Sequence, residues 1–207
     1  MDFLHPVEAV IPGAQGRIVG VLARTSGELN LRTIARLSGV SVAQASRVVP
    51  GLIALGLVER REAPPSALFR FVPEHVAAGA VLALADARRL VLDEIGRTAS
   101  GLDPVPVSVV VFGSFARGEA VGESDLDLVL VRPDVVGEDD AGWRAGVEAW
   151  IDRVRRFTGN RVELLEVAEQ DAARLLRSRK PLWLDVRRDG ILVLGRELAL
   201  LKGKRSG

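Results

Sequence analysis

The fold of the C-terminal half is decided at residues 109–131, which read VVVFGSFARGEAVGESDLDLVLV. One apolar run ends abruptly in Gly113-Ser114, and a second begins with two aspartates at alternate positions, Asp125 and Asp127. Alternate residues of a strand share a face, so the spacing predicts two carboxylates side by side. Such carboxylates repel each other unless a cation lies between them, which indicates a divalent metal site.

The turn between the two runs suits a phosphate group. Gly113 lets the backbone approach a phosphate closely, and Ser114 can cap the helix that follows or donate to phosphate oxygens. Arg117 has two interpretations: a clamp on phosphate, or a salt bridge to Glu119 or Glu123 that stiffens the loop. For the segment as a whole, the alternative is a strand–helix–strand turn with a solvated acidic edge.

The spacing of Gly-Ser, ten residues and Asp-Leu-Asp resembles the signature of the polymerase-beta-like nucleotidyltransferase superfamily, in particular its minimal branch and relatives of kanamycin nucleotidyltransferase. The resemblance covers residues 107–195. It implies that Gly113, Ser114 and Arg117 bind the nucleotide, and that Asp125 and Asp127 hold two Mg²⁺ ions. It also implies transfer of a nucleoside monophosphate from a nucleoside triphosphate, expected to be ATP, to an acceptor hydroxyl with release of pyrophosphate.

The same resemblance implies a third metal-binding and catalytic carboxylate on a later strand. Residues 161–167, RVELLEV, predict that strand, and Glu163 takes the position. Glu166 falls on the opposite face by alternation. As a structural alternative, Glu163 would be an edge-strand acid paired with Arg161 or Arg187. Two downstream acids are weaker rivals for the catalytic role: Asp171 and Asp185.

Composition indicates globular domains and excludes some classes of site. The chain has 207 residues, 48% of them hydrophobic, a net charge of +1 and no cysteine. It can therefore build two cores, but neither disulfides nor a thiolate zinc site. Its start carries Asp2 and Glu8 with no basic residue before the apolar positions, unlike a secretory signal, and no apolar run reaches membrane-spanning length. We expect a cytoplasmic protein with no membrane partner.

The N-terminal third predicts three helices followed by a β-hairpin. Asn30 can cap the second helix, and Ser41 with Gln44 forms a capping box at the start of the third. Alternating segments around Pro64-Pro65 predict the hairpin. Helical spacing places these apolar residues inward: Leu31, Ile34, Ala35, Leu37, Val42, Ala45, Val48 and Val49. The pattern resembles the winged helix-turn-helix domains of bacterial and archaeal regulators.

Such a domain suggests double-stranded DNA as a partner. Gln44 and Arg47 face outward on the third helix and could reach base edges. The arginines placed for phosphate contact are Arg32, Arg36, Arg60, Arg61 and Arg70. Residues 1–74 hold eight arginines against six acids, a net of +2, which is weak for a DNA-binding domain. Pro50 predicts a third helix that is short or bent near Val49. Dimerisation or protein docking is the alternative role.

Together these features predict a two-domain α/β protein of the α+β type. A winged helix-turn-helix domain is expected over residues 1–76, a linking amphipathic helix over 77–102, and a nucleotidyltransferase domain with a mixed sheet flanked by helices over 103–207. The linking helix could pack on that sheet or form a homodimer. The expected function is Mg²⁺-dependent nucleotide transfer coupled to DNA binding. The alternative is a DNA-binding regulator whose second domain senses nucleotide without turnover.

The acceptor is left open by the sequence. Three classes are compatible with it: a protein side chain, as in antitoxin-type relatives, an aminoglycoside, or the end of a nucleic acid. The chain lacks an obvious large acceptor domain after the expected catalytic core. A small-molecule pocket is therefore less favoured unless a dimer builds it.

Overall fold

The computed structural model describes residues 1–200, which form two compact units. The N-terminal unit holds residues 4–87 together with Asp2. The C-terminal unit begins at Arg88 and also includes Met1 and Phe3. Residues 201–207 of the interval expected for the second domain lie outside the described residues.

The N-terminal unit contains the expected helices and hairpin. Its elements are α1 (Pro6–Val10), α2 (Ala14–Ala23), β1 (Leu29–Asn30), α3 (Leu31–Leu37), α4 (Val42–Ala54), β2 (Val58–Ala63), β3 (Ser66–Phe71) and α5 (Ala78–Ala85). The strands form an antiparallel sheet in the order β1-β3-β2. The predicted hairpin around Pro64-Pro65 is β2–β3, and the fold is that of a winged helix.

Two local signals predict the starts of α3 and α4 correctly. The Asn30 side chain accepts a hydrogen bond from the Thr33 backbone N–H at 2.9 Å. Ser41 and Gln44 form both hydrogen bonds of the capping box, at 3.1 and 3.0 Å. Each bond satisfies a backbone N–H that a helix start leaves unpaired, so these helix boundaries are set by adjacent residues.

Two burial expectations for these helices are wrong, and one of the two alternatives expected at Pro50 is excluded. The helix α4 continues past Pro50 to Ala54, so it is not short. Pro50 is exposed, and an exposed proline removes a hydrogen bond without disturbing the core. Leu37 and Val42 are each 48% exposed, because they are the last residue of α3 and the first of α4, where the facing helices no longer cover them. The buried positions include Ile34, Ala35, Ala45 and Val49.

The interval 77–102 forms two helices, not the single helix expected. The first, α5, ends at Ala85, and α6 (Ala87–Ala99) begins after Asp86. The division between the two units falls between Ala87 and Arg88. Each helix buries apolar side chains in its own unit, Val81 in the first and Ile95 in the second. Because the two helices pack on separate cores, one continuous helix does not form across Asp86.

The C-terminal unit is a sheet with helices on both sides. After α6 its elements are β4 (Ser108–Phe112), α7 (Gly113–Arg117), β5 (Leu126–Arg132), α8 (Ala141–Thr158), β6 (Val162–Ala168), α9 (Glu169–Leu176), α10 (Pro181–Asp189), β7 (Ile191–Gly195) and a 3₁₀ turn at Leu198–Leu200. The strand order is β6-β5-β4-β7. Only the β5–β6 pair is parallel in this sheet, so the expected mixed sheet is confirmed.

The two faces of this sheet have different neighbours. On one face, Val129 and Val131 of β5 belong to a buried cluster with Trp183 of α10. On the opposite face, Leu128 and Leu130 are fully buried. Asp127 shares the face of Val129 by alternation, which places its carboxylate on the α10 side of the sheet.

Among residues 1–200, none of the helices has the length and apolar character needed to cross a membrane.

Candidate active site

Strand register brings the sequence motifs together. Phe112, the residue before Gly113, pairs with Asp127 across the antiparallel β4–β5 ladder. Asp127 in turn pairs with Glu163 across the parallel β5–β6 ladder. Residues paired in register present their side chains on the same face of a sheet. The Gly-Ser turn, the second aspartate and the candidate third carboxylate therefore lie next to one another.

The backbone at Gly113 favours glycine over residues that carry a side chain. Its φ is +72°, a left-handed conformation that side chains rarely adopt. A Cβ on Gly113 would also lie 2.3 Å from Oδ2 of Asp127. The glycine therefore permits both the sharp turn and the close approach of the backbone to a carboxylate.

The half-buried Asp127 carboxylate lies in an acidic environment. Burial raises the pKa of Asp127, and the Asp125 and Glu163 carboxylates raise it further. Asp185 of α10 acts in the same direction, while Arg117 opposes the shift. A carboxyl group with this balance of neighbours is more stable when a cation neutralises the site.

Glu163 and Glu166 have separate surroundings on the same strand. Glu163 lies on the edge strand β6, its side chain is 47% exposed, and it forms an ion pair with Arg161. Those contacts match the structural alternative for Glu163, although its register beside Asp127 also suits the catalytic role. Glu166 lies on the opposite face, where it accepts a hydrogen bond from Trp143 Nε1 at 3.1 Å and pairs with Arg132 at 2.7 Å.

Arg117 is held by two acids. Its guanidinium lies 2.7 Å from Glu119 and 2.9 Å from Asp189 of α10. The Asp189 side chain is only 8% exposed and also pairs with Arg188 at 2.8 Å. The two arginines hold the pKa of Asp189 at about 2. The salt-bridge interpretation of Arg117 is thus present in the structure, with Asp189 as the partner that sequence reasoning missed because it lies 72 residues away.

The helix α7 is held from outside the motif. Arg88 donates from Nε to the carbonyl oxygen of Phe115 at 2.9 Å, and a second bond goes to the carbonyl of Ala116. The N-cap of α7 is Phe112, so Ser114 lies inside the first turn and does not cap the helix as expected. Its half-buried hydroxyl makes no hydrogen bond within residues 1–200 and remains available as a donor.

The donor set fits a magnesium ion shared with a phosphate ligand. Within the described residues, 1–200, no three His, Cys, Asp or Glu side chains are close enough to form a complete metal site. Mg²⁺ usually takes one or two protein carboxylates and completes its shell with water and substrate phosphates. Asp125 and Asp127, the second of them held in an acidic environment, supply that kind of incomplete site.

The candidate DNA surface of the N-terminal unit is exposed but largely charge-balanced. Gln44 and Arg47 are exposed on α4, as expected, and Arg32 and Arg36 are exposed on α3. The arginines of the β2–β3 hairpin, which is the wing of this domain, are paired with acids. Arg60 pairs with Glu62 at 2.7 Å, Arg70 with Glu59 at 2.7 Å, and Arg61 with Glu28. The arginines on α3 and α4 therefore face less competition from neighbouring acids for a DNA phosphate than those of the hairpin do.

Comparison with known proteins matches each unit to a family. Residues 11–67 match the MarR family, and residues 92–179 match the nucleotidyltransferase domain. The expected fusion of a winged helix domain with a nucleotidyltransferase domain is thereby confirmed. No curated protein matches the chain.

Among the solved structures that match, one aligns over most of the chain at low identity. It is TrmBL2, described as an archaeal chromatin protein with a novel mode of DNA binding. The match has 16% identity, covers 91% of this chain and 78% of the other, and has a TM-score of 0.31.

Proposed function

We propose that this chain, which joins a MarR-type winged helix domain to a nucleotidyltransferase domain, transfers a nucleoside monophosphate from a nucleoside triphosphate to an acceptor hydroxyl. The observation that carries the proposal is the contact between Gly113 and Asp127, which leaves no room for a Cβ. A tight Gly-Ser turn close to a half-buried carboxylate suits a site where triphosphate and metal must both approach the backbone.

The residues of this site have distinct roles in the proposed reaction. Asp125 and Asp127 would hold Mg²⁺, which when bound neutralises the triphosphate and favours the ionised acceptor hydroxyl. The Gly113 backbone and the Ser114 hydroxyl would orient the phosphates. Glu163, beside Asp127 in register, would hold metal or accept the acceptor's proton. Arg117 would contact phosphate through Nη2, since Glu119 binds its Nε and Asp189 its Nη1.

A transfer assay tests this proposal. The purified protein is incubated with each α-labelled nucleoside triphosphate and Mg²⁺, with and without cell extract as a source of acceptors. We expect pyrophosphate release and label on an acceptor, both abolished in Asp125→Ala and Asp127→Ala variants that remain folded. Equal turnover in a folded double variant would contradict the transferase assignment.

One observation favours a second function, nucleotide sensing without turnover. Glu163 is bound to Arg161 rather than grouped with the aspartates as a third ligand. A site with two carboxylates could bind Mg²⁺ and nucleotide and lack the group that completes catalysis. The assay distinguishes the two functions, because a sensor would bind labelled nucleotide with Mg²⁺ and release no pyrophosphate.

We further propose that the winged helix domain binds double-stranded DNA through α4. The support is the exposed pair Gln44 and Arg47 together with Arg32 and Arg36 on α3. A mobility-shift series at low salt with the protein's own promoter region tests this proposal. Failure to shift any duplex at low salt would favour protein docking or dimerisation instead.

A further inference from the structure

Asn160 is a buried polar side chain that the proposed chemistry does not use. It follows α8 through Gly159, whose φ of 73° turns the chain sharply, and it is 4% exposed. A buried amide is destabilising unless its donors and acceptor are satisfied. The partners of Asn160 therefore indicate what the residue does.

The amide of Asn160 binds the loop that leads into Asp125. Its Nδ2 donates to the Ser124 carbonyl at 2.9 Å and to the Gly122 carbonyl at 3.4 Å. The same Nδ2 lies 3.4 Å from the Met1 carbonyl, and Oδ1 accepts from the Met1 nitrogen at 2.8 Å. Only the NH₂ group can donate to carbonyls, so these neighbours fix the orientation of the amide.

The residues on both sides of Asp125 are thereby attached to one short segment. On one side, the carbonyl of Ser124 is held by the Asn160 side chain. On the other side, the backbone N–H of Leu126 donates to the Arg161 carbonyl at 2.8 Å. The loop is also closed on itself, with Val121 N–H donating to Ser124 Oγ at 3.0 Å. Asp125 lies outside β5, so these contacts replace the ladder that fixes Asp127.

We propose that Asn160 is a positioning residue that holds Asp125 in place for the metal. The inference rests on the proposed function in one respect, namely that Asp125 is a metal ligand. Residues that orient metal ligands typically change metal affinity by about 10–100-fold when they are replaced. Asn160→Ala removes the donor, and the nearly isosteric Asn160→Asp sets a carboxylate against three carbonyl oxygens. We expect both variants to bind metal at least about tenfold more weakly.

The measurement is a titration with Mn²⁺, followed by the loss of the free-ion signal in electron paramagnetic resonance, with and without a non-hydrolysable nucleoside triphosphate. The matched control is Asp140→Ala, which removes the N-cap bond to Trp143 N–H at 2.8 Å. Asp140 and Asn160 flank opposite ends of α8, an 18-residue helix, and so lie about 27 Å apart. Asp140→Ala should lower the unfolding temperature and leave the Mn²⁺ midpoint unchanged.

The outcomes separate the two proposals. If wild type binds no Mn²⁺, or Asp125→Ala binds it as tightly as wild type, the metal site fails and the positioning role is overturned with it. If Asp125→Ala loses Mn²⁺ while Asn160→Ala and Asn160→Asp retain the wild-type midpoint, the positioning role alone is overturned. Should Asn160→Ala not fold, Asn160→Ser, which retains one donor, provides the same comparison. Recovery of transfer by Asn160→Ala at high Mg²⁺ would support the inference further.

Discussion

The two units of this chain hold their charged groups in different ways. In the N-terminal unit, the ion pairs Arg60–Glu62 and Arg70–Glu59 lie on the solvent-exposed wing. In the C-terminal unit, Asp127 is half-buried with a raised pKa, and the Asp189 side chain is 8% exposed. Exposed ion pairs contribute about 0–1 kcal/mol to stability, whereas half-buried charges respond strongly to their neighbours. Substitutions should therefore have large effects at the start of β5 and small ones on the wing.

The largest effect is expected from Asp127→Asn. Transfer should fall by about a thousandfold or more, because several kcal/mol of metal-mediated stabilisation are lost. Stability should change in the opposite direction. A carboxyl whose folded pKa is raised destabilises the fold as pH rises through that pKa. Asp127→Asn should thus unfold at a higher temperature than wild type at pH 7, and the difference should disappear below about pH 4. Pyrophosphate release and thermal unfolding at pH 7 and pH 4 measure both effects.

The next effect tests the close approach at Gly113. Gly113 and Gly118 both have a positive φ, of 72° and 76°, so alanine strains the backbone at both by roughly 1 kcal/mol. Only at Gly113 does the new Cβ meet Asp127, since the nearest atom at Gly118 is Arg88 Nε at 3.9 Å. We expect Gly113→Ala to lose at least as much stability as Gly118→Ala, because its Cβ must also displace the Asp127 carboxylate. Only Gly113→Ala should lose Mg²⁺-dependent nucleotide binding. Calorimetric titration with nucleotide measures the affinity of each variant. Equal affinities in Gly113→Ala and Gly118→Ala would contradict the proposal that Gly113 and Asp127 belong to one nucleotide and metal site.

Two glutamates on β6 allow a catalytic role and a structural role to be compared within one strand. Glu163→Gln keeps the shape beside Asp127 and should reduce turnover strongly, with a lesser effect on nucleotide affinity. Glu166→Gln should leave turnover nearly unchanged and lower stability by about 1–3 kcal/mol, because Arg132 loses its charged partner. The readouts are kcat, nucleotide affinity and urea unfolding. The reverse pattern would make Glu166 the third acid and Glu163 the structural one.

Sequence predicted those parts of this molecule that depend on near neighbours. The caps at Asn30 and Ser41 and the face that Glu166 occupies all follow from residues within one turn or one strand. The break at Asp86 could not be predicted, because it reflects two separate cores rather than a local signal. The contacts of Arg117 with Asp189 and of Asn160 with Ser124 were missed for the same reason, as they join residues 72 and 36 positions apart.

A smaller effect is expected at Asp189. Its folded pKa of about 2 lies below the ordinary value of about 3.9 for Asp. The ion pairs with Arg117 and Arg188 therefore stabilise the fold above about pH 4, and this contribution is lost as the pH falls towards 2. Asp189→Asn should be less stable than wild type at pH 7, with the difference shrinking steadily below pH 4. Urea unfolding at pH 7, 5 and 3 provides the test, and a difference independent of pH would mean that packing, not charge, is responsible.

The smallest effect is expected on the wing, at Arg61. Each phosphate contact by a free cation contributes about 0.9 to the slope of log affinity against log salt. Arg61 is already paired with Glu28, so binding to DNA exchanges one partner for another and releases less net charge. Arg61→Ala should therefore change the salt slope by well under one contact, while Arg47→Ala, on α4, should reduce discrimination between sequences. Glu28→Gln frees Arg61 and should raise the affinity for all duplexes alike. The prediction would be wrong if Glu28→Gln left the affinity unchanged while Arg61→Ala lowered the salt slope by one full phosphate contact. The Arg61–Glu28 pair would then not reduce the contribution of Arg61 to DNA binding.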